Sequence, residues 1–196
     1  MVRLGGRATV GVPFETVLAA AQSDAAWAQA TLWRTFAPAV HGFLRSRGSR
    51  EAEDLTSEVF MAVFDQIGTF RGAEAEFRSF LFTVAYRRLT DELRQRGRRG
   101  EAEEWTPESD TRQTASAEET AEAQLGDAAA IALIDALPVD QREVMTLRIL
   151  GDLTVEQIAQ ITGKRAGAVK ALQRRALENL RKKVSDNPYP SSALQR

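Results

Sequence analysis

Residues 153–183, LTVEQIAQITGKRAGAVKALQRRALENLRKK, admit very few backbone arrangements. Thr154 followed three positions later by Gln157 predicts a capping box, in which each residue satisfies a free amide of the other at a helix start. That helix runs to about Ile161, and Gly163 ends it in the left-handed conformation. Past the turn at residues 162–165, Val169, Leu172, Ala176 and Leu180 recur at three- and four-residue spacing, the apolar stripe of a second, longer helix. Its other side is basic: residues 164–183 hold eight Lys or Arg against the single acid Glu178. A basic amphipathic helix standing alone would suit plain solvation equally well. A short capped helix, a glycine turn and that basic helix in succession imply a helix-turn-helix, whose second helix enters the major groove of duplex DNA.

A formal net charge of −1 looks wrong for such a chain until it is divided by segment. Residues 101–127 carry nine acids and one base, and this piece masks basic stretches on both sides. The chain has no cysteine and one histidine, His41, so neither a disulfide framework nor a zinc site built from Cys and His is expected, and no metal or other cofactor is assigned. No apolar run approaches the roughly 18 residues of a membrane span, and the N-terminus lacks a signal core, so a cytoplasmic location is expected. The sequence shows no nucleophile–base pair, phosphate-cradling glycine loop or metal-ligand cluster, and neither an enzyme nor a small-molecule substrate is expected.

In chain order, residues 1–12 are expected to be disordered. Helices are predicted over PFETVLAAAQ and, with Asp24 as N-cap, over the segment from Ala25 to Arg47 that Pro38 either kinks or splits. Trp27, Trp33 and Phe43 are expected in the core. Ser49 is predicted to cap the helix REAEDLTSEVFMAVFDQI, where Phe60, Val63, Phe64 and Ile67 form the core stripe. Glu51, Asp54, Glu58 and Asp65 project within roughly 60° of one another on another face, an acidic ridge that is either solvated or a docking surface for a basic partner. Residues 68–76 read as a loop around Phe70 and Arg71.

The next helix is aromatic in its first half and basic in its second. Phe77, Phe80, Phe82 and Tyr86 interleave with Arg78, Arg87 and Arg88, and Arg94, Arg96, Arg98 and Arg99 follow. Aromatic faces beside guanidinium groups suit single-stranded nucleic acid, because any base can stack while its backbone follows the positive charge. Phe77, Leu81 and Val84 read as core; Phe80 and Tyr86 are left for other work. Residues 100–126 lose all periodicity and read as a flexible acidic linker containing an unexplained Trp105. A helix over residues 127–137, a turn at Pro138 and a helix over VDQREVMTLRIL then lead to Thr154, and the tail from Ser185 is expected to be loose. The fold class is therefore all-α, two small helical domains at residues 13–99 and 127–184 joined by the linker.

The run LPVDQREVMTLRILGDLTVEQIAQITGKRAGAVKALQRRA resembles region four of bacterial sigma factors of the extracytoplasmic-function type. The matching residues are Leu137, Pro138, Arg142, Leu147, Arg148, Thr154, Ile158, Ala159, Gly163, Gly167, Val169, Lys170, Arg175 and Ala176. Upstream, Asp54, Leu55, Thr56, Ser57, Glu58, Val59 and Phe60 resemble region two, with Ser57 where that family usually has Gln. In FRSFLFTVAYRRLTDELR, Phe80 takes the usual Trp place and Arg87 the usual Asn place, while Asp91 and Arg94 match.

The resemblance implies binding to core RNA polymerase through Glu51, Asp54, Leu55, Glu58 and Phe60. It implies capture of the opened minus-ten strand by Phe70, Arg71, Arg78, Phe80, Tyr86, Arg87, Arg88 and Arg94. Duplex reading of the minus-thirty-five element falls to Lys170, Ala171, Arg174 and Arg175, with Lys164 and Arg165 on phosphate. Control by an anti-sigma factor is a further implication. Two rivals stand beside this reading: a stand-alone helix-turn-helix regulator, and a sigma-like adaptor or decoy that binds polymerase without opening DNA.

Overall fold

Four apolar helix faces meet in the N-terminal half, in a computed structural model that describes residues 12–98 and 133–186. The helices are α1 (Phe14–Ala21), α2 (Ala26–Ser46), α3 (Ala52–Ile67) and α4 (Glu74–Arg98). Helix α2 packs against α1 and α3, and α4 lies on α3. The core is built on aromatic rings: Phe77 touches Phe14 and Phe36 with centroids 5.5 and 5.4 Å apart, and Phe43 meets Phe82 at 5.7 Å. Each fully buried Phe contributes about 1.5–3 kcal/mol through area removed from water. No strand occurs among the described residues.

The second unit holds α5 (Val139–Ile149), α6 (Val155–Thr162) and α7 (Ala166–Asp186). Helices α6 and α7 are the helix-turn-helix, and α5 packs on both. Val144, Leu147, Leu153, Ile158 and Val169 are buried, and they join one apolar cluster with the aromatic core of the first unit. A smaller cluster of Leu137, Met145 and Ala176 closes the far side of α5.

Several local expectations are corrected. Asp24 does not cap α2; it takes φ 57°, and the helix starts one residue later from Ala25 with no side-chain cap. Ser49 does not cap α3, whose N-cap is Glu51, also without a side-chain bond. Helix α4 starts at Glu74, inside the predicted loop. Pro38 sits within one continuous α2 and does not split it. Phe43 is core, whereas Trp27 and Trp33 are 50% and 37% exposed and are not. The linker with Trp105, most of residues 1–12, most of the helix predicted from residue 127 and most of the tail lie outside the described residues.

Candidate nucleic-acid interface

The helix-turn-helix forms for the local reasons its sequence suggests. Thr154 Oγ1 accepts from the Gln157 amide at 3.2 Å, while Gln157 Oε1 accepts from the Thr154 amide at 2.8 Å. Gly163 ends α6 with φ 71° and ψ 6°. Arg148 donates to the Leu153 carbonyl at 2.7 Å and so fixes the connection from α5. With Val169 and Ala176 buried, α7 turns its basic side outward. Arg165, Lys170, Arg174 and Arg175 are exposed and Ala171 is half-buried. Lys170, Gln173, Arg174, Leu177, Glu178 and Arg181 line a shallow depression of about 330 Å³ on that side. Lys164 departs from expectation. It lies 3.0 Å from Glu143 and 3.2 Å from Asp140, so its ammonium is engaged inside the protein. Burial pulls its pKa down, but the two carboxylates outweigh this and hold it above 10.5.

In the first domain, the connection between α3 and α4 presents an aromatic pair. Phe70 stacks on Phe80 with centroids 5.6 Å apart and planes 23° from parallel, and Phe77 supports Phe70 edge-on at 5.7 Å. Both stacked rings remain partly accessible. Gln22, just past α1, donates its side-chain amide to the Ile67 carbonyl at 3.0 Å and the Phe70 carbonyl at 2.8 Å. It thereby ties down both sides of the loop. Sequence reading missed Gln22, since its partners lie 45 and 48 positions away. Arg71 folds back onto the Gly68 and Phe70 carbonyls at 3.1 and 2.6 Å. Arg87, Arg88 and Arg94 are exposed. Arg78 is corrected: it is 8% exposed, bonded to Glu74, and its guanidinium lies 5.1 Å from the Phe36 ring centre. It is a structural cation. Tyr86 is half-buried, and burial together with the nearby Glu143 carboxylate holds its hydroxyl above the usual 10.0.

The acidic ridge of α3 is present, with Glu51, Asp54, Glu58 and Asp65 all exposed. Glu58 pairs with Arg88 at 3.7 Å, a half-exposed contact of little energetic weight. Leu55 and Phe60 are corrected. At 8% and 1% exposure they face the core, so they hold the ridge in place and cannot themselves meet a partner. Beside the ridge runs a groove of about 580 Å³ whose lining includes Trp33, Pro38, His41, Glu53, Thr56 and Ser57. Trp33 packs its ring 4.7 Å from Phe60 and leaves its outer face open. Helical periodicity could not reveal the groove, because it marks an apolar stripe without saying what covers it.

Models of two protein families match the chain: sigma-70 region 2 over residues 32–99 and sigma-70 region 4 over residues 127–180. The chain is 35% identical to the ECF RNA polymerase sigma factor RpoE of Cereibacter sphaeroides, over 84% of this chain and 89% of that one. It is 31% identical to the ECF RNA polymerase sigma factor BldN of Streptomyces coelicolor over 85% of its own length, and there it spans 64% of the relative. A solved complex of the sigma factor RpoE with the anti-sigma factor NepR from Bartonella quintana has the same fold, with a TM-score of 0.58 at 23% identity. The match covers 78% of this chain and 94% of that one. Among the described residues no helix is long and apolar enough to cross a membrane.

Proposed function

The chain belongs to the sigma-70 family, in its extracytoplasmic-function type, and on that premise we propose that it joins core RNA polymerase and directs it to promoters. The observation that supports this reading is that one chain carries two exposed surfaces of different chemistry. One is a basic helix on a helix-turn-helix, suited to duplex DNA; the other is a stacked Phe70–Phe80 pair with exposed Arg87, Arg88 and Arg94 farther along the same helix α4, suited to unpaired bases and their backbone. A simple duplex-binding regulator has no use for the second.

Lys170, Arg174 and Arg175 would face the minus-thirty-five major groove, with Ala171 against the groove floor and Arg165 on phosphate. The loop at Phe70 and Arg71 and the outer side of α4 would hold the opened minus-ten strand. Stacking at about 1–3 kcal/mol per base offsets the few kcal/mol that flipping a base costs. Glu51, Asp54 and Glu58, together with the Trp33 groove, would receive a basic helical element of the polymerase. Charge matching there sets association rate and partner choice more than raw affinity. The chain would act in the cytoplasm and contribute no covalent chemistry. The Bartonella relative is seen with an anti-sigma factor, and that mode of control is extended here to this chain.

In vitro transcription tests the reading, using purified bacterial core polymerase and a pool of promoter fragments. Transcripts with defined starts that depend on the protein are the expected result. Asp54→Arg is expected to abolish polymerase binding while leaving the melting curve unchanged. Polymerase binding without initiation would favour the decoy, and tight duplex binding with no polymerase affinity would favour the stand-alone regulator.

A further inference from the structure

Gly163, Lys164 and Arg165 alone separate α6 from α7. Their backbone is set by Gly163, which takes φ 71°, and by Thr162, whose Oγ1 accepts from the Lys164 amide at 3.4 Å and donates to the Ile158 carbonyl at 2.8 Å. The side chain of Lys164 then crosses to α5 within the same domain. Its Nζ lies 3.0 Å from Oε2 of Glu143 and 3.2 Å from Oδ1 of Asp140. The two oxygens of Glu143 are divided, since Oε1 is held by Arg47 at 2.8 Å. Lys164 is therefore the cation that faces Oε2, on a side chain only 2% exposed.

The leading end of α7 needs such a tie. In its first turn only Val169 is buried; Gly167 and Ala168 are exposed, and a Cβ on Gly167 would meet open space. Val169, Leu172 and Ala176 seat the helix along one apolar line. Apolar contact is non-directional, so it resists separation more than rolling or sliding. A roll of about 10° would move a guanidinium about 10 Å from the helix axis sideways by about 2 Å, beyond the roughly 0.5 Å that a preorganised contact tolerates. Polar ties to α5 supply the missing direction, and they bracket the basic stretch from Lys170 to Arg175. Lys164 makes the tie at one end, and at the other Asn179 donates to Gln141 at 2.9 Å. Lys164 could reach a phosphate only by abandoning Oε2 of Glu143, and breaking a buried pair leaves an uncompensated charge. Arg165, exposed beside it, is the cation of the turn left for the DNA backbone.

We propose that Lys164 is a positioning residue for duplex reading: held by Glu143 and Asp140, it sets the roll of α7 so that Lys170, Arg174 and Arg175 meet base edges, and it does not bind phosphate. The inference rests on the sigma-factor reading above. Base discrimination thereby depends on a side chain that never touches DNA. Phosphate contacts carry no sequence information directly, so the two roles for Lys164 differ in what they do to discrimination.

The test uses holoenzyme assembled from bacterial core polymerase and the full chain. Two promoter templates differ at the one base pair of the minus-thirty-five element whose substitution lowers wild-type transcription most, and the ratio of transcript yields is the readout. Lys164→Met should lower that ratio by about tenfold, the worth of one base-reading contact. Asp140→Asn should lower it less, and Lys164→Arg, a cation still able to span both carboxylates, should keep it near the wild-type value. The slope of log affinity for promoter DNA against log salt should not change, whereas a lost phosphate contact would flatten it by about 0.9. An unchanged ratio with a flatter slope in Lys164→Met overturns the proposal in favour of phosphate. Equal loss on both templates at constant ratio overturns it in favour of a general structural role. Asp140 is 67% exposed, so Asp140→Asn leaves the interior intact and judges the matter should Lys164→Met fail to fold. Higher yield on both templates at constant ratio in that variant would mean a Lys164 freed for phosphate, against the proposal. A wild-type chain that yields no polymerase-dependent transcript refutes the sigma-factor reading itself. An active, discriminating wild type beside equally discriminating variants refutes only the role of Lys164.

Discussion

Replacing Gly163 by Ala isolates one physical cost. The residue sits at φ 71° and ψ 6°, and a Cβ built there meets no heavy atom within 4 Å. No repacking is therefore needed, and the loss should equal the left-handed penalty of an L-residue, about 1–2 kcal/mol. That shifts the folded-to-unfolded ratio roughly tenfold and lowers the melting temperature by about 2–4 °C per kcal/mol for a cooperative unit approaching 150 residues. Gly163→Asn, whose side chain tolerates this conformation, should lose clearly less. Urea unfolding followed by circular dichroism at an unchanged m-value measures both. An Ala variant as stable as the parent, or an Asn variant equal to Ala, would refute the argument. Gly151 offers the contrast: a Cβ there would lie 2.7 Å from the Leu147 carbonyl oxygen, so its substitution should fail by collision instead.

Arg174→Ala should weaken binding to the minus-thirty-five duplex by about 1–3 kcal/mol and spare random DNA; its ion pair with Glu178 at 3.8 Å is well exposed, so stability should not change. Equal losses on both DNAs would reassign it to phosphate. Gln22→Ala removes two hydrogen bonds from the Phe70 loop and should cost about 1–3 kcal/mol, felt in capture of a minus-ten single strand and absent from duplex binding. Equal loss in both assays would mean a general structural role. Burial holds the Asp135 carboxyl above 3.8, against the opposing pull of Arg142 and Arg45. An acid with a raised folded pKa contributes stability that is fully present below its unfolded pKa and lost as pH rises through the folded one, so the ionised group is a cost at neutral pH. Asp135→Asn should therefore raise the melting temperature at pH 7, with the gain shrinking toward pH 4. A lowered melting temperature at pH 7 would show that Arg142 outweighs burial.

What was legible in the sequence was local. Thr154, Gln157 and Gly163 act on neighbours within a few residues, and the turn they make is the one observed. Asp24 and Ser49 have the right chemistry for caps but not the backbone: Asp24 is drawn into a left-handed turn, and the amide of Arg50 is satisfied by Glu92 from α4 at 3.1 Å. Long-range partners escaped altogether. Arg78 reads as one more cation of a basic helix until Phe36, from α2, is seen under its guanidinium. Leu55 and Phe60 were assigned with the motif that contains them, although Asp54, Ser57 and Glu58 of that motif reach the surface and these two do not. Trp33 was given to the core because aromatic residues usually go there, and the open groove beside it has no signature in one dimension.

Between its exposed ends, residues 141–147 of helix α5 leave no side idle. Gln141, Arg142, Glu143 and Thr146 are as enclosed as Val144 and Leu147, because one flank serves α7 and the other serves α2. The two halves of this protein are consequently not interchangeable modules. A chimaera that grafts residues 133–186 onto the first domain of a relative would carry half of a matched pair. Without counterparts of Ser46 and Arg47, Glu143 would lose its partner from the first domain. Inheritance should accordingly keep these positions together, so that a change at residue 143 in a descendant is accompanied by a change at residue 47.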